Sequence, residues 1–257
     1  MRSDLLATGL TPDWPVPPGV GAWMSSREGG VSPGPWQGLN LGMAVGDDPA
    51  AVAENRRRFA EAIGAAPVFL RQVHGRTVLR LTPADARRSE PLEADAAFTT
   101  EPGVACTVQV ADCLPVLFAA PQGRGVAAAH AGWRGLAGGV LDATVAALCD
   151  AAGCGPDALQ AWLGPCIGPR QFEVGAEVLQ AFGGDPAGDR RFIPRRRPDG
   201  ELRWLADLPA LARERLAACG VSATTGGAWC TVEAPSRFFS YRRDGITGRL
   251  AAAVWLR

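Results

Sequence analysis

Gly125-Val-Ala-Ala-Ala-His-Ala-Gly-Trp-Arg-Gly135 reads as an apolar strand that ends at a glycine-bounded turn. The stretch after it, Leu136 to Ala152, reads as a helix stopped by Gly153. The strand carries His130, one of 2 histidines in 257 residues. The other, His74, lies in Leu70-Arg-Gln-Val-His-Gly75, and between them sits Ala111-Asp-Cys-Leu-Pro115. Imidazole is the commonest metal ligand and the usual proton shuttle near pH 7. A chain this poor in His therefore narrows the question of function to these segments.

Working outward, the N-terminal stretch to Pro18 is proline-rich and reads as extended, and Gly19 to Ser25 as a first strand. Asp48-Pro49 opens the clearest helix, with Asp48 as N-cap, Pro49 at the first helical position and Gly64 as the stop. Val52, Phe59 and Ile63 share one face of it. Val68 to Val73, Thr77 to Leu81, Ala94 to Thr99, Val104 to Val110 and Pro115 to Ala120 read as strands rich in Val, Phe and Thr. Further on, Leu159 to Leu163 reads as a short strand. Glu173 to Phe182 and Leu205 to Cys219 read as helices, Trp229 to Val232 and Leu250 to Trp255 as late strands. There is no regular βαβ beat, no repeat and no low-complexity linker. The expectation is a single α+β domain over residues 1–257 with layered mixed sheets, preceded by an extended segment at 1–18.

Composition excludes several function classes. Basic and acidic residues number 26 each, so no global basic field invites nucleic acid. Arg195-Arg-Arg197, flanked by Pro194 and Pro198, reads as a solvated loop. Every basic residue is Arg, which excludes Schiff-base, Walker-type and general-base lysines. The 7 cysteines contain no Cys-x-x-Cys, and no secretory signal pattern precedes them, so free thiols in the cytoplasm are expected. No apolar run is long enough for a membrane span.

His74, Cys113 and His130 each fall at a strand end or in the loop after it. Two imidazoles and a thiolate are ligands zinc prefers, and three protein ligands leave a tetrahedral position open, as in catalytic sites. Such a site lowers the pKa of a bound water to about 7. A second reading needs no metal: Cys113 as nucleophile with His130 as its base. The residues alone leave both open. Asp112 is a candidate proton carrier or an orienting residue. Gly132-Trp-Arg-Gly135, with Arg134, could bind an anion or be a plain strand-to-helix turn. Arg27 beside Gly29-Gly30 carries the same two readings. In Ser236-Arg-Phe-Phe-Ser-Tyr-Arg-Arg-Asp244, the rings of Phe238, Phe239 and Tyr241 could stack on a base or belong to the core.

These segments also carry a resemblance. Ser25-Ser-Arg-Glu-Gly-Gly-Val-Ser32, Leu39-Asn-Leu-Gly42, Val45-Gly-Asp-Asp48, Gln72-Val-His-Gly75, Ala111-Asp-Cys-Leu-Pro115, His130-Ala-Gly-Trp-Arg-Gly135 and Phe238-Phe-Ser-Tyr-Arg-Arg-Asp-Gly245 occur in this order. The chain resembles the laccase-domain or peptidoglycan-editing-factor family, once called multicopper polyphenol oxidases. The resemblance implies a four-layer α/β/β/α fold shared with a class of cysteine hydrolases. It implies purine nucleoside phosphorylase activity on adenosine and inosine, with methylthioadenosine phosphorolysis and adenosine deamination in relatives. It implies zinc, or copper, held by His74, Cys113 and His130, with Arg27, Asn40, Asp112 and Arg134 as substrate or phosphate contacts. The expected partners are purine nucleosides and phosphate, with no nucleic acid and no membrane. The main alternative is a Cys113-dependent hydrolase that edits peptidoglycan precursors; a non-catalytic binding module ranks last. The oxidase name fails a physical test, because a mononuclear and a trinuclear copper centre need several times more His ligands than the 2 present.

Overall fold

Two sheets face each other across an apolar layer, and helices cover both outer faces. The computed structural model describes residues 2–185 and 188–257, with side chains from Leu5 onward. In chain order the elements are α1 (Arg2–Thr8), β1 (Val20–Met24), α2 (Pro49–Ile63), β2 (Ala66–Phe69), β3 (Val78–Arg80), β4 (Ala96–Thr99) and β5 (Val104–Val110). Then come β6 (Leu114–Ala119), β7 (Val126–Ala131), α3 (Trp133–Ala137), α4 (Val140–Ala152), β8 (Gln160–Leu163), β9 (Glu173–Val174) and α5 (Ala176–Ala181). The chain closes with β10 (Phe192–Arg196), β11 (Leu202–Ala206), α6 (Leu208–Ala218), β12 (Ala223–Gly226), α7 (Tyr241–Asp244) and β13 (Leu250–Leu256).

One sheet has the order β1-β13-β5-β2 and the other β12-β8-β6-β7-β4-β3. Between them, Cys106, Val108 and Val110 of β5 and Leu250, Ala252 and Val254 of β13 meet Leu117 of β6 and Val126 and Ala128 of β7. The outer face of the first sheet packs Trp23, Ala251 and Ala253 against Phe59 and Ile63 of α2. The outer face of the second packs Val116, Phe118, Ala127 and Ala129 against Leu141, Val145 and Leu148 of α4 and Leu211 and Leu216 of α6. The result is the four-layer α/β/β/α arrangement, with a small β10-β11-β9 sheet beside it. The alanine run of β7 suits a strand buried on both faces, since small side chains let both neighbouring layers approach.

Period-two alternation sends Val126, Ala128 and His130 of β7 to the inter-sheet side, and Leu117 and Ala119 of β6 likewise. The chain passes between the sheets three times at one end of the sandwich, the last time through residues 227–249 from β12 back to β13. After β2 it crosses through residues 70–77 to β3, carrying His74; after β5 it crosses through 111–113 to β6, carrying Cys113. The antiparallel β6–β7 register sets Leu114 opposite Ala131 and Pro115 opposite His130, so the second crossover abuts the end of β7.

Several elements differ from the sequence reading. Within the 1–18 segment, Met1 lies outside the described residues, and Arg2–Thr8 is helical rather than extended, its prolines all lying beyond it. The helix expected over Leu136 to Ala152 is two helices, because Gly139 takes φ +90° and turns the chain between α3 and α4. Glu173 and Leu205 begin as strand partners in the small sheet, and α5 and α6 start later; Asp207 caps α6 by accepting from the Ala210 amide at 2.9 Å. Trp229 to Val232 forms only one bridge, Cys166 with Cys230. Arg195 and Arg196 lie on β10, an edge strand that tolerates Pro194, and Arg197 pairs with Glu173 and Glu201. Among the described residues no helix is long and apolar enough to cross a membrane.

Candidate metal centre

His74, Cys113 and His130 converge at the end of the sandwich where the chain changes sheets. One potential ligand atom from each lies within 4.8 Å of the others. Cys113 Sγ is 3.7 Å from His74 Nε2. Tetrahedral zinc with ordinary Zn–S and Zn–N lengths would place such a pair about 3.5 Å apart. The two imidazole rings meet edge to face with centroids 4.8 Å apart.

Asp95, which is not among the sequence candidates, holds the group together. Its carboxylate is fully buried just before β4. Oδ1 accepts from the His74 amide at 2.9 Å and pairs with His130 Nδ1 at 2.8 Å. Oδ2 accepts from the amides of Val73 at 3.1 Å and Gly75 at 2.7 Å. One side chain thus shapes the His74 loop and leaves His130 Nε2 free for the site, which is the usual duty of a carboxylate behind a metal-bound histidine. The one signal in the sequence is a lone Asp entering an otherwise apolar strand, Ala94-Asp-Ala-Ala-Phe-Thr99.

Backbone strain gathers here as well. His74 at φ 61° and Asp112 at φ 91° are two of the three described non-glycine residues in the left-handed region. Asp112 is turned away from the ligands: Thr231 Oγ1 donates to its Oδ1 and the Arg242 amide to its Oδ2, both at 2.6 Å. Its backbone carbonyl accepts from the Ile167 amide at 2.8 Å. Gly132 closes over the other side, since a methyl group there would lie 2.7 Å from His74 Cδ2 and 3.0 Å from Cys113 Sγ.

The remaining sequence candidates occupy other positions. Asn40 is buried; its Nδ2 donates to Asp47 at 2.8 Å, and its Oδ1 accepts from the amides of Gly42 at 2.9 Å and Arg249 at 2.8 Å. Arg27 lines an open cavity of 590 Å³ with Gly29, Gly30, Ser32 and Ser236. Its guanidinium donates to the Pro235 carbonyl at 3.0 Å and lies 4.7 Å over the Phe239 ring. Arg134, in the first turn of α3, stacks on Trp133 at 4.3 Å. Neither arginine hydrogen-bonds to the three ligands. Phe238 and Phe239 belong to the core, whereas Tyr241 is exposed.

Burial alone would push the Cys113 thiol up, but His130 and His74 beside it outweigh that and bring it down to about 6. Burial would lower His130, but Cys113 and Asp95 outweigh it and raise the imidazole to about 9. Burial likewise opposes the charge on Asp95, yet His130 and the amides of Gly75 and Val73 keep its carboxyl below the usual range. Without metal the site therefore holds a thiolate beside an imidazolium at neutral pH. Burial pushes the thiols of Cys106, Cys149, Cys166 and Cys219 up instead. In chelator-treated protein at pH 7, iodoacetamide is expected to modify Cys113 ahead of those four, at a rate that rises through about pH 6 and then levels. Zinc should protect it. Peptide mass spectrometry reads the order, and slow modification of Cys113 at pH 7 would contradict the charge arrangement.

The comparisons with known proteins extend over nearly the whole chain. The sequence profile of the family described as multi-copper polyphenol oxidoreductase laccase matches residues 21–257. A Pseudomonas aeruginosa protein named purine nucleoside phosphorylase is 53% identical over 249 residues, covering 96% of this chain and 98% of its own. Purine nucleoside phosphorylase YfiH of Escherichia coli is 49% identical over 252 residues, covering 96% and 98%. A crystal structure of a Neisseria meningitidis protein superposes with a TM-score of 0.88 at 46% identity, covering 97% of this chain and 99% of that one. The match in sequence, in fold and over full length has one meaning: this chain belongs to the multi-copper polyphenol oxidoreductase laccase family.

Proposed function

We propose that the chain is a zinc-dependent purine nucleoside phosphorylase acting on adenosine and inosine. The observation that carries the metal dependence is the convergence of His74, Cys113 and His130 on one point, with Asp95 behind two of them. The names of full-length relatives support the reaction class. The donor set fits zinc, and copper is the alternative for the same ligands. Bound there, the ion would supply a Lewis acid with one position open to substrate.

In phosphorolysis an oxygen of phosphate bonds to the ribose anomeric carbon as the carbon–nitrogen bond to the base breaks. The electron pair leaves with the purine, which takes up a proton. The chain's own residues must therefore orient phosphate and sugar and keep competing water away. In this reading Asp112 is a positioning residue: anchored on Thr231 and on Arg242, it fixes the strained turn that presents Cys113. Arg27 and Arg134 are the anion contacts that the family resemblance nominates. Methylthioadenosine phosphorolysis and adenosine deamination are further reactions proposed for the same site. The free state of all seven cysteines supports a cytoplasmic setting.

The test is purified protein with inosine and phosphate. Chelation is expected to abolish formation of hypoxanthine and ribose 1-phosphate, and zinc to restore it. Absence of phosphate-dependent cleavage in stoichiometrically zinc-loaded protein would overturn the proposal. The lowered Cys113 thiol favours one second reading, a thiol hydrolase that edits peptidoglycan precursors. That enzyme should keep its activity after zinc removal and lose it to iodoacetamide.

A further inference from the structure

Arg249 is half-buried and meets no carboxylate. Its Nη1 donates to the carbonyls of Thr247 and Gly248, both at 3.1 Å, while no protein acceptor meets its Nε or Nη2 among the described residues. Burial pulls its pKa down, and the nearby charges of Cys113 and Asp112 offset only part of that. Arg27 and Arg56 are lowered by burial too, but each lies over an aromatic face, at 4.7 and 3.9 Å. For Arg249 the ring is Tyr241, 6.0 Å away at the limit of such contact. A partly desolvated cation that no carboxylate contacts is costly, so a fixed one suits an anion that arrives from solution.

The residue is also fixed in place. Its amide donates to Asn40 Oδ1 at 2.8 Å, and its carbonyl accepts from the Leu41 amide at 3.0 Å. Its side-chain stem lies against Gly42, where a methyl group would come within 2.7 Å of Cγ. Tyr241, the chain's one tyrosine, precedes the residue whose amide is tied to Asp112 at 2.6 Å, and the Arg249 guanidinium lies 6.0 Å from its ring, which links Arg249 through two contacts to the turn that carries Cys113.

We infer that Arg249 is a further phosphate-binding residue of this site, beyond Arg27 and Arg134, offering Nε and Nη2 as a fork to two phosphate oxygens, and that Asn40 acts through it as a positioning residue. The choice of phosphate rests on the phosphorolysis reading. Asn40 stands out in the sequence and Arg249 does not, because an arginine at the start of an apolar strand carries no pattern of its own.

The experiment is calorimetric titration of zinc-loaded protein with inorganic phosphate, paired with steady-state kinetics. Arg249→Gln is expected to weaken phosphate binding about 100-fold, and Arg249→Lys, which keeps the charge but not the fork, about 10-fold. The KM for phosphate should rise with little change in the KM for nucleoside. Arg57→Gln, on the exposed face of α2, should match the parent. Should the Arg249 variants fail to fold, the parent gives a second readout: phosphate bound at Arg249 slows alkylation of Cys113 in metal-free protein. Phosphate affinity unchanged in Arg249→Gln, or no protection of Cys113 in the parent, overturns the inference. Phosphate bound through Arg249 without ribose 1-phosphate formation would instead overturn the phosphorolysis reading and leave the anion site standing.

Discussion

Asp95→Asn is expected to cost about 100-fold in zinc affinity, at the upper end of what loss of a ligand-orienting carboxylate does. The carboxylate serves four donors: His74 and His130 at Oδ1, Val73 and Gly75 at Oδ2. Asparagine has one oxygen to offer and must turn its NH₂ toward the other two. If the NH₂ faces Val73 and Gly75, the His74 loop loses its anchor. If it faces His130, the ring loses the partner that fixes which nitrogen carries the proton. Removing one member of a buried ion pair costs about 3–5 kcal/mol. For a chain of this size each kcal/mol is worth about 2–4 °C, so the melting temperature should fall by roughly 6 °C or more. Competition with a zinc-binding dye and thermal denaturation read the two effects. A variant within threefold of the parent in zinc affinity would mean that Asp95 does not hold the ligands.

The pH dependence of that pair follows from its charges. His130 is raised in the folded state, so its contribution to stability is full below the unfolded imidazole pKa and lost as pH rises through about 9. Asp95 is lowered, so its contribution is present above the unfolded carboxyl pKa and lost as pH falls. Both are intact together in the mildly acidic range.

The parts of the fold legible in the sequence are those with local signals. Asp48, Pro49 and Gly64 mark the ends of α2 by capping chemistry that needs no tertiary contact. The apolar strands β5, β6, β7 and β13 read as strands because both faces of each are covered. β9, β10, β11 and β12 do not: β10 and β12 are largely exposed or half-exposed and carry no sustained apolar run, while Glu173 of β9 and Leu205 of β11 merge in sequence with the helices that follow them. At the site the ligands are visible as chemistry: two histidines and a cysteine are rare enough to stand out. Asp95 and Arg249 are not, because a carboxylate or guanidinium at a strand end has no distinctive spacing. Their roles exist only once β4, β7 and the 70–77 crossover are assembled. The same holds for Asp112, whose neighbour Cys113 draws it among the candidate reacting groups although its carboxylate points to Thr231 and Arg242.

Gly132→Ala should remove the centre by volume alone. Gly132 has φ −64° and ψ 158°, a conformation alanine adopts freely, so the backbone raises no objection. At such a position the exchange by itself stabilises by about 0.4–1 kcal/mol through the unfolded chain. Against this, the added methyl would sit 2.7 Å from His74 Cδ2 and 3.0 Å from Cys113 Sγ, closer than carbon and sulfur atoms approach. Overpacking of this kind costs about 1–3 kcal/mol, so the net effect on folding is small and the protein should remain folded. The ligands are what must move, and His74, whose backbone Asp95 and the 70–77 crossover hold, can yield only by swinging its ring out of the cluster. A displacement near 1 Å at a reacting centre costs on the order of 100-fold in rate. The expected result is therefore a folded protein that has lost at least that much zinc-dependent activity, with zinc stoichiometry below one. Gly188→Ala, where no atom of the described residues lies within 4 Å of the added methyl, should match the parent in both measurements. A fully metallated, fully active Gly132→Ala would show that the ligands do not close on this glycine, and the site would have to be looser than the distances among His74, Cys113 and His130 allow.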